Sequence, residues 1–193
     1  MIRSGVAVSV VAMVSSSAMS VPIMFIHEGS GNGMIDGVSF VDAGFVITAF
    51  GDTDSKTETF PGVFLFDHTS ASIAIAGVGT FDFNQVTHSF YNSNSPVAGF
   101  SRTVLPGIIS DLFNGPYTPA LAGWDMASSI GPISGEGEVL QWESFMVPVE
   151  TTGGTLFFET DFDTEATFTA IVPAPGGAAV MAFGFVAAAR RRR

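Results

Sequence analysis

Phe45-Val46-Ile47-Thr48-Ala49-Phe50 decides the fold. Its residues are β-branched, aromatic or small, the types that fit a pleated and partly buried strand. Ser72-Ile73-Ala74-Ile75, Thr155 to Thr160, and Ala166-Thr167-Phe168-Thr169-Ala170 have the same character. Gly, Asn, Asp and Pro punctuate the chain between such runs every 8 to 12 residues or so, which is the spacing of short strands joined by turns. Between residues 21 and 171 no stretch carries a helical stripe longer than two turns. Asp111-Leu112-Phe113 and Leu121 to Ala127 are the only places where a short helix is expected, while Asn92 to Pro96 and Gly29 to Gly33 read as loops. The expected fold is all-β, a single β-sandwich or jelly roll over residues 21–171, without internal repeat or interdomain linker.

Those 151 residues are enough to enclose one core. They hold Lys56 and Arg102 against all 18 acidic residues, a net charge of −16, which is more acidic than the −11 of the whole chain. Such a surface repels nucleic acid and anionic membrane, so a nucleic-acid partner is excluded. There is no cysteine, which removes disulfides, thiol catalysis and thiolate-bound zinc. Stability then has to come from packing, and 19 phenylalanines are available for it.

Both ends read as addresses. Met1-Ile2-Arg3 is a basic start, Gly5 to Val14 an apolar run, and Ser15 to Ser20 small and polar. Residues 1–20 are therefore expected to be a secretory signal peptide, cut by signal peptidase after Ser20 or Ala18. At the other end, residues 172–193 run from Pro173-Ala174-Pro175-Gly176 through an apolar stretch, residues 176–189, to Arg190, Arg191, Arg192 and Arg193. As a helix the apolar stretch would be about 21 Å long against a hydrocarbon core of about 30 Å, short for a permanent span and suited to a transient anchor. Arginines retained on the cytoplasmic side would leave the preceding domain outside.

A Pro-x-Pro element, a short apolar transmembrane helix and a terminal arginine cluster resemble the PEP-CTERM sorting signal of Gram-negative bacteria that make exopolysaccharide. Ala174 stands where that family usually has Glu, so the match is to a Pro-Ala-Pro variant. The resemblance implies that a membrane-embedded exosortase cuts near the motif and delivers the protein to the cell surface, outer membrane or extracellular matrix, in a biofilm setting. An ordinary C-terminal anchor is the alternative. Gly33-Met34-Ile35-Asp36-Gly37-Val38-Ser39-Phe40, Ile75 to Phe83, and Gly123-Trp124-Asp125-Met126 are also similar to the exported β-domains of that family, to which no activity is attached.

Candidate chemistry is sparse. Asp161, Asp163 and Glu165 alternate, which on a regular strand would put three carboxylates on one face and make them candidate calcium ligands; a solvated face opposite Phe162 is the plain alternative. Calcium is the one cofactor considered. Asp52-Thr53-Asp54 with Glu58 is a second acidic loop. Glu136, Glu138 and Glu143, near Trp142, contain the two acids a glycoside hydrolase needs, but adjacent acids are common in a chain this acidic and no catalytic residue is assigned. His27, His68 and His88 are scattered singly without metal-ligand spacing, and no Gly-x-Ser-x-Gly elbow occurs. Trp124 and Trp142, with Tyr91 and Tyr117, are the candidate platform for a sugar ring, unless they are core residues. The expectation is therefore a non-enzymatic surface or matrix protein, structural or adhesive. A carbohydrate-binding module, with or without calcium, is the alternative, and a glycoside hydrolase the more distant one.

Overall fold

The computed structural model describes residues 21–140, 142 and 147–173. The expected signal peptide, the rest of the expected sorting motif (Ala174, Pro175, Gly176), the apolar stretch 176–189 and Arg190 to Arg193 lie outside them, and no described helix is long and apolar enough to cross a membrane. The described chain is all-β. Three long strands come first: β1 (Pro22–Ile35), β2 (Val38–Phe60) and β3 (Val63–Ile75). Then follow β4 (Gly79–Asp82), β5 (Thr87–Asn92), β6 (Val97–Leu105), β7 (Ile108–Tyr117), β8 (Ile130–Val139), β9 (Val149–Thr151), β10 (Gly154–Phe158) and β11 (Asp161–Ile171).

The Phe45–Phe50 run lies in the middle of β2. Phe45, Ile47 and Ala49 point inward, opposite Ile75, Ile73 and Ala71 of β3, and the residues between them face outward. On the other side Ala49 lies opposite Phe25 of β1, and Phe25 is opposite Ala170 of β11. Small residues beside a large ring let neighbouring strands interdigitate, which is how a narrow interior reaches close packing.

Every pairing is antiparallel, and consecutive strands are mostly neighbours. The order β1-β2-β3-β5-β6-β7-β8-β11 returns to β1, because β1 pairs with β11 over Met24–Glu28 as well as with β2. Eight strands thus close a barrel-like ring in up-and-down order. The sheet is not split into the two separate layers of the expected sandwich, and it lacks the Greek-key crossing of a jelly roll. The long strands outrun this ring. Beyond it β3 pairs with β4, β1 with β10, β10 with β9, and a bridge from Phe83 to Thr151 links the β4 side to β9. A second, smaller closure therefore shares β1, β2 and β3 with the first.

Three local expectations are corrected. Gly29 to Gly33 is not a loop but part of β1. A Cβ on Gly29 would stand 2.8 Å from the Phe45 ring, and one on Gly31 would stand 3.1 Å from the Phe158 ring, so these glycines make room for phenylalanines. Asp111-Leu112-Phe113 belongs to β7, where a register shift between Phe100/Phe113 and Ser101/Asp111 turns both Leu112 and Phe113 inward. Leu121 to Ala127 begins at the end of a single 3₁₀ turn, Pro119–Leu121, and continues as loop. There the Asp125 carboxylate accepts from the Ala127 and Ser128 amides at 2.8 and 2.9 Å, and Met126 takes a positive φ of 58°. Asn92 ends β5 and residues 93–96 form the turn to β6.

The interior is aromatic. Phe25, Phe45, Phe66, Phe100, Phe113, Phe158, Phe168 and Trp142 are all fully buried. Phe45 meets Phe113 and Phe158 edge to face at centroid separations of 5.2 and 5.1 Å.

Candidate functional site

The polar centre of the molecule is built on three consecutive residues of β5, Thr87-His88-Ser89. Strand alternation sends Thr87 and Ser89 into the barrel and His88 to the outer face. All three histidines of the chain meet there. Inside, Ser89 Oγ lies 3.0 Å from His27 Nε2 of β1 and 3.0 Å from His68 Nε2 of β3. His68 Nδ1 in turn lies 3.0 Å from Thr87 Oγ1. A hydroxyl has one proton, so at least one of the two imidazoles must donate its Nε2–H to Ser89. His27 crosses the interior to reach Ser89, since β1 and β5 are not neighbours in the sheet.

The surroundings of this junction are apolar. His27 is fully buried, with the rings of Phe168, Phe100 and Phe113 at 4.9, 6.0 and 6.5 Å, and its Nδ1 has no hydrogen-bond partner. His68 stacks on Phe100 at 5.7 Å and tilts against Phe25 at 5.8 Å. Burial pushes the His27 pKa down to about 3. The His68 pKa is also held well below its usual value, first by burial and then by His27 and His88. Both interior histidines are neutral at physiological pH.

His88 is in a different situation, on the outer face. Its Nδ1 meets Asp67 Oδ1 at 2.8 Å and its Nε2 meets Thr103 Oγ1 at 2.8 Å. The Asp67 side chain is 60% exposed and the His88 side chain 5%, so a solvated carboxylate covers a buried imidazole. Direct pairing places Asp67, His88, Ser101 and Asp111 in one row across β3, β5, β6 and β7. The next row holds Leu65, Phe90 and Gly99, and the absence of a side chain at Gly99 accommodates the Phe90 ring. Leu65 and Phe90 floor an open groove of about 470 Å³ whose lip includes Phe60 and Ile109.

One cation is buried. Arg102 of β6 lies opposite Thr87 and is wholly enclosed; its guanidinium donates to the carbonyls of Val147 and Pro148 at 2.6 and 2.7 Å and to Gln85 Oε1 at 3.1 Å, while Nε has no partner. Burial lowers its pKa. The three oxygens are neutral, so among the described residues Arg102 acts as a clamp on chain segments.

The sequence-predicted sites fall elsewhere. Trp142 is fully buried and donates Nε1–H to the Leu112 carbonyl at 2.8 Å; Trp124 is 8% exposed and donates to the Ser128 carbonyl at 2.9 Å. Tyr91 is buried, its hydroxyl donating to the Leu121 carbonyl at 2.8 Å, and only Tyr117 reaches the surface, 3.2 Å from Glu138 Oε2. The tryptophan platform is therefore corrected to core packing: both tryptophans lie outside the strands and pack onto the aromatic interior, Trp124 against Tyr91 and Phe168 and Trp142 against Phe158. Asp161, Asp163 and Glu165 do not share a regular face: the register slips between Asp161 and Thr164, Asp163 N–H donates to Asp161 Oδ1 at 3.0 Å, and Glu165 lies opposite Glu136. Among the described residues no group of three or more His, Cys, Asp or Glu has a metal-holding arrangement, so the calcium assignment lacks its geometry. Asp52 Oδ1 accepts from Asp54 N–H and Glu58 Oε1 from Gly62 N–H, local turn contacts within β2 and at its end. Glu136 and Glu138 share a face of β8, with Glu138 bonded to Tyr117 and Asn114; Glu143 lies outside the described residues. Pro173 is the last described residue, so of the sorting motif only this proline is seen.

The histidine junction was missed because each histidine stands alone in sequence. Strand parity carried part of the signal, since His27 is in phase with Phe25 and His68 with Phe66, the buried phase of each strand. Their convergence on Ser89 depends on closure of the ring. Comparison with protein-family models, with curated proteins and with solved structures finds no match to this chain.

Proposed function

We propose that this chain is an exported surface or matrix protein of a Gram-negative bacterium, structural or adhesive in role, whose β-domain is delivered by an N-terminal signal peptide and a C-terminal exosortase-type signal. The observation that carries the reading is the order of the C-terminal residues: the last strand ends at Ile171, and Pro173-Ala174-Pro175-Gly176, an apolar stretch and four arginines follow it directly. A fold that completes itself before Pro173 leaves that stretch free to be read as an address. The acidic, cysteine-free barrel with an aromatic interior suits an exported domain held by packing alone. Signal peptidase and an exosortase-type enzyme are the proposed processing partners. Polysaccharide is the proposed neighbour in the matrix. Carbohydrate binding through Trp124 and Trp142 is not proposed, since both rings are used in the core.

Intact mass and peptide mapping of the protein recovered from its native surface and medium test this. Loss of residues 1 to about 20 together with the segment after about Pro173 is the expected result. A membrane-bound product that keeps Arg190 to Arg193 would overturn the sorting assignment in favour of a plain anchor.

A further inference from the structure

We propose that the His27–Ser89–His68 junction is an acid-sensitive latch: a proton taken up by His27 leaves a charge and an unpaired Nδ1–H sealed inside the barrel, which favours states in which β1 has opened and the phenylalanine surface is exposed. The geometry carries this. An imidazolium has two N–H donors, and His27 Nδ1 has no acceptor. Around His27 stand Ile47 of β2, Phe100 of β6, Phe113 of β7 and Phe168 of β11, none able to solvate a charge. Among the described residues the titratable or charged groups nearest it are His68 on β3, His88 with its Asp67, and Arg102 on β6, while Asp111 of β7 and Glu165 of β11 are exposed on the outer face. None is a carboxylate bonded to an interior histidine, and Arg102 is a cation already.

His68 differs from His27 in having hydroxyls at both nitrogens, Thr87 and Ser89, which can turn to accept. Ser89 Oγ can accept from both Nε2–H groups, so the group left without an acceptor when His27 charges is its Nδ1–H. The group that acid leaves unsatisfied sits on β1, sealed in the apolar interior, so the molecule yields at β1. Strand β1 holds both closures of the sheet, through β11 and through β10.

Binding of a dye specific for exposed apolar surface, measured on the purified protein between pH 7 and pH 5, tests the latch above the range where carboxylates titrate. Opening is expected to be reversible and to grow by about tenfold per pH unit for each histidine that charges. In His27→Gln, which cannot charge, the response should move down by a pH unit or more. Should that variant fail to fold, amide exchange of the wild type decides. After correction for intrinsic rates, residues of β1 and β5 should open at least tenfold more at pH 5 than at pH 7, with β10 and β9 following β1. A wild type that binds no dye down to pH 5, a His27→Gln response that overlays the wild type, or unchanged protection of β1 would each overturn the proposal.

Discussion

Arg102 Nη2 donates a 2.6 Å hydrogen bond to the carbonyl of Val147, 45 residues further along the chain, and Nη1 donates to the neighbouring carbonyl of Pro148. Two adjacent carbonyls held by one planar fork fix the approach to β9, which a single ammonium cannot imitate. Arg102→Lys is expected to lose one of these bonds and bury a poorly solvated charge, at a cost of about 2–4 kcal/mol. Urea denaturation should show this as a lower midpoint with an unchanged slope.

Gly29 and Gly44 make a matched pair for testing the aromatic interior. A Cβ on Gly29 would meet Phe45 at 2.8 Å and Phe113 at 3.0 Å, whereas one on Gly44 would have nothing nearer than a carbonyl at 4.0 Å. Gly29→Ala should therefore destabilise by about 1–3 kcal/mol through overpacking. Gly44→Ala should be neutral or slightly stabilising, because it restricts the unfolded chain without a clash. Thermal melts of the two variants provide the comparison.

The buried tryptophans give an optical test. With Trp142 fully enclosed and Trp124 nearly so, fluorescence emission should lie well to the blue of free indole and should not respond to added polysaccharide. Trp142→Phe removes one of the two donors to the Leu112 carbonyl, the other being the Leu140 amide, and leaves a gap beside Phe158, whose ring centroid is 4.6 Å away. A loss of about 2–3 kcal/mol is expected in urea denaturation. A spectral shift on titration with polysaccharide would place a sugar against a tryptophan and count against the core assignment.

Global stability should fall with acid before the carboxylates titrate. Burial holds the His27 pKa at about 3 in the folded protein, below the ordinary 6.5 of the unfolded chain, so between those values the unfolded chain binds a proton that the native protein does not. Stability is therefore greatest above about pH 6.5 and declines as pH falls below it, by about 1.4 kcal/mol per pH unit for each histidine so affected. His68, shifted in the same direction, adds to the slope. Unfolding free energies at pH 7, 6 and 5 should give a slope between one and two protons. His27→Gln should lower that slope by about one.

The strand content was readable because Phe45 to Phe50 and Ala166 to Ala170 have no plausible helical face. Closure was not readable, since the pairing of Met24 with Ile171 joins residues at opposite ends of the domain and leaves no local mark. Gly29 to Gly33 misled for a physical reason: glycine signals a turn when the chain needs freedom and a strand when a ring needs space, and only the position of Phe45 and Phe158 separates the two. Trp124 and Trp142 were ambiguous in the same way, as an amphipathic ring suits a surface or a core whose carbonyls need a donor. His27 was the residue least visible in advance. Its sequence phase put it inside, but its partner is set by a contact across the ring rather than by any neighbour.

Because Met24 lies beside Ile171 at the seam, the first and last described residues leave the barrel from the same pole, and the Asp36-Gly37 and Gly77 turns occupy the other. Tethering the chain by either flank therefore presents the same end outward. A transient tether at the C-terminal side would hold the distal hairpins, with the second closure of β4, β9 and β10, farthest from the bilayer, and release would not change which end had first met the surroundings.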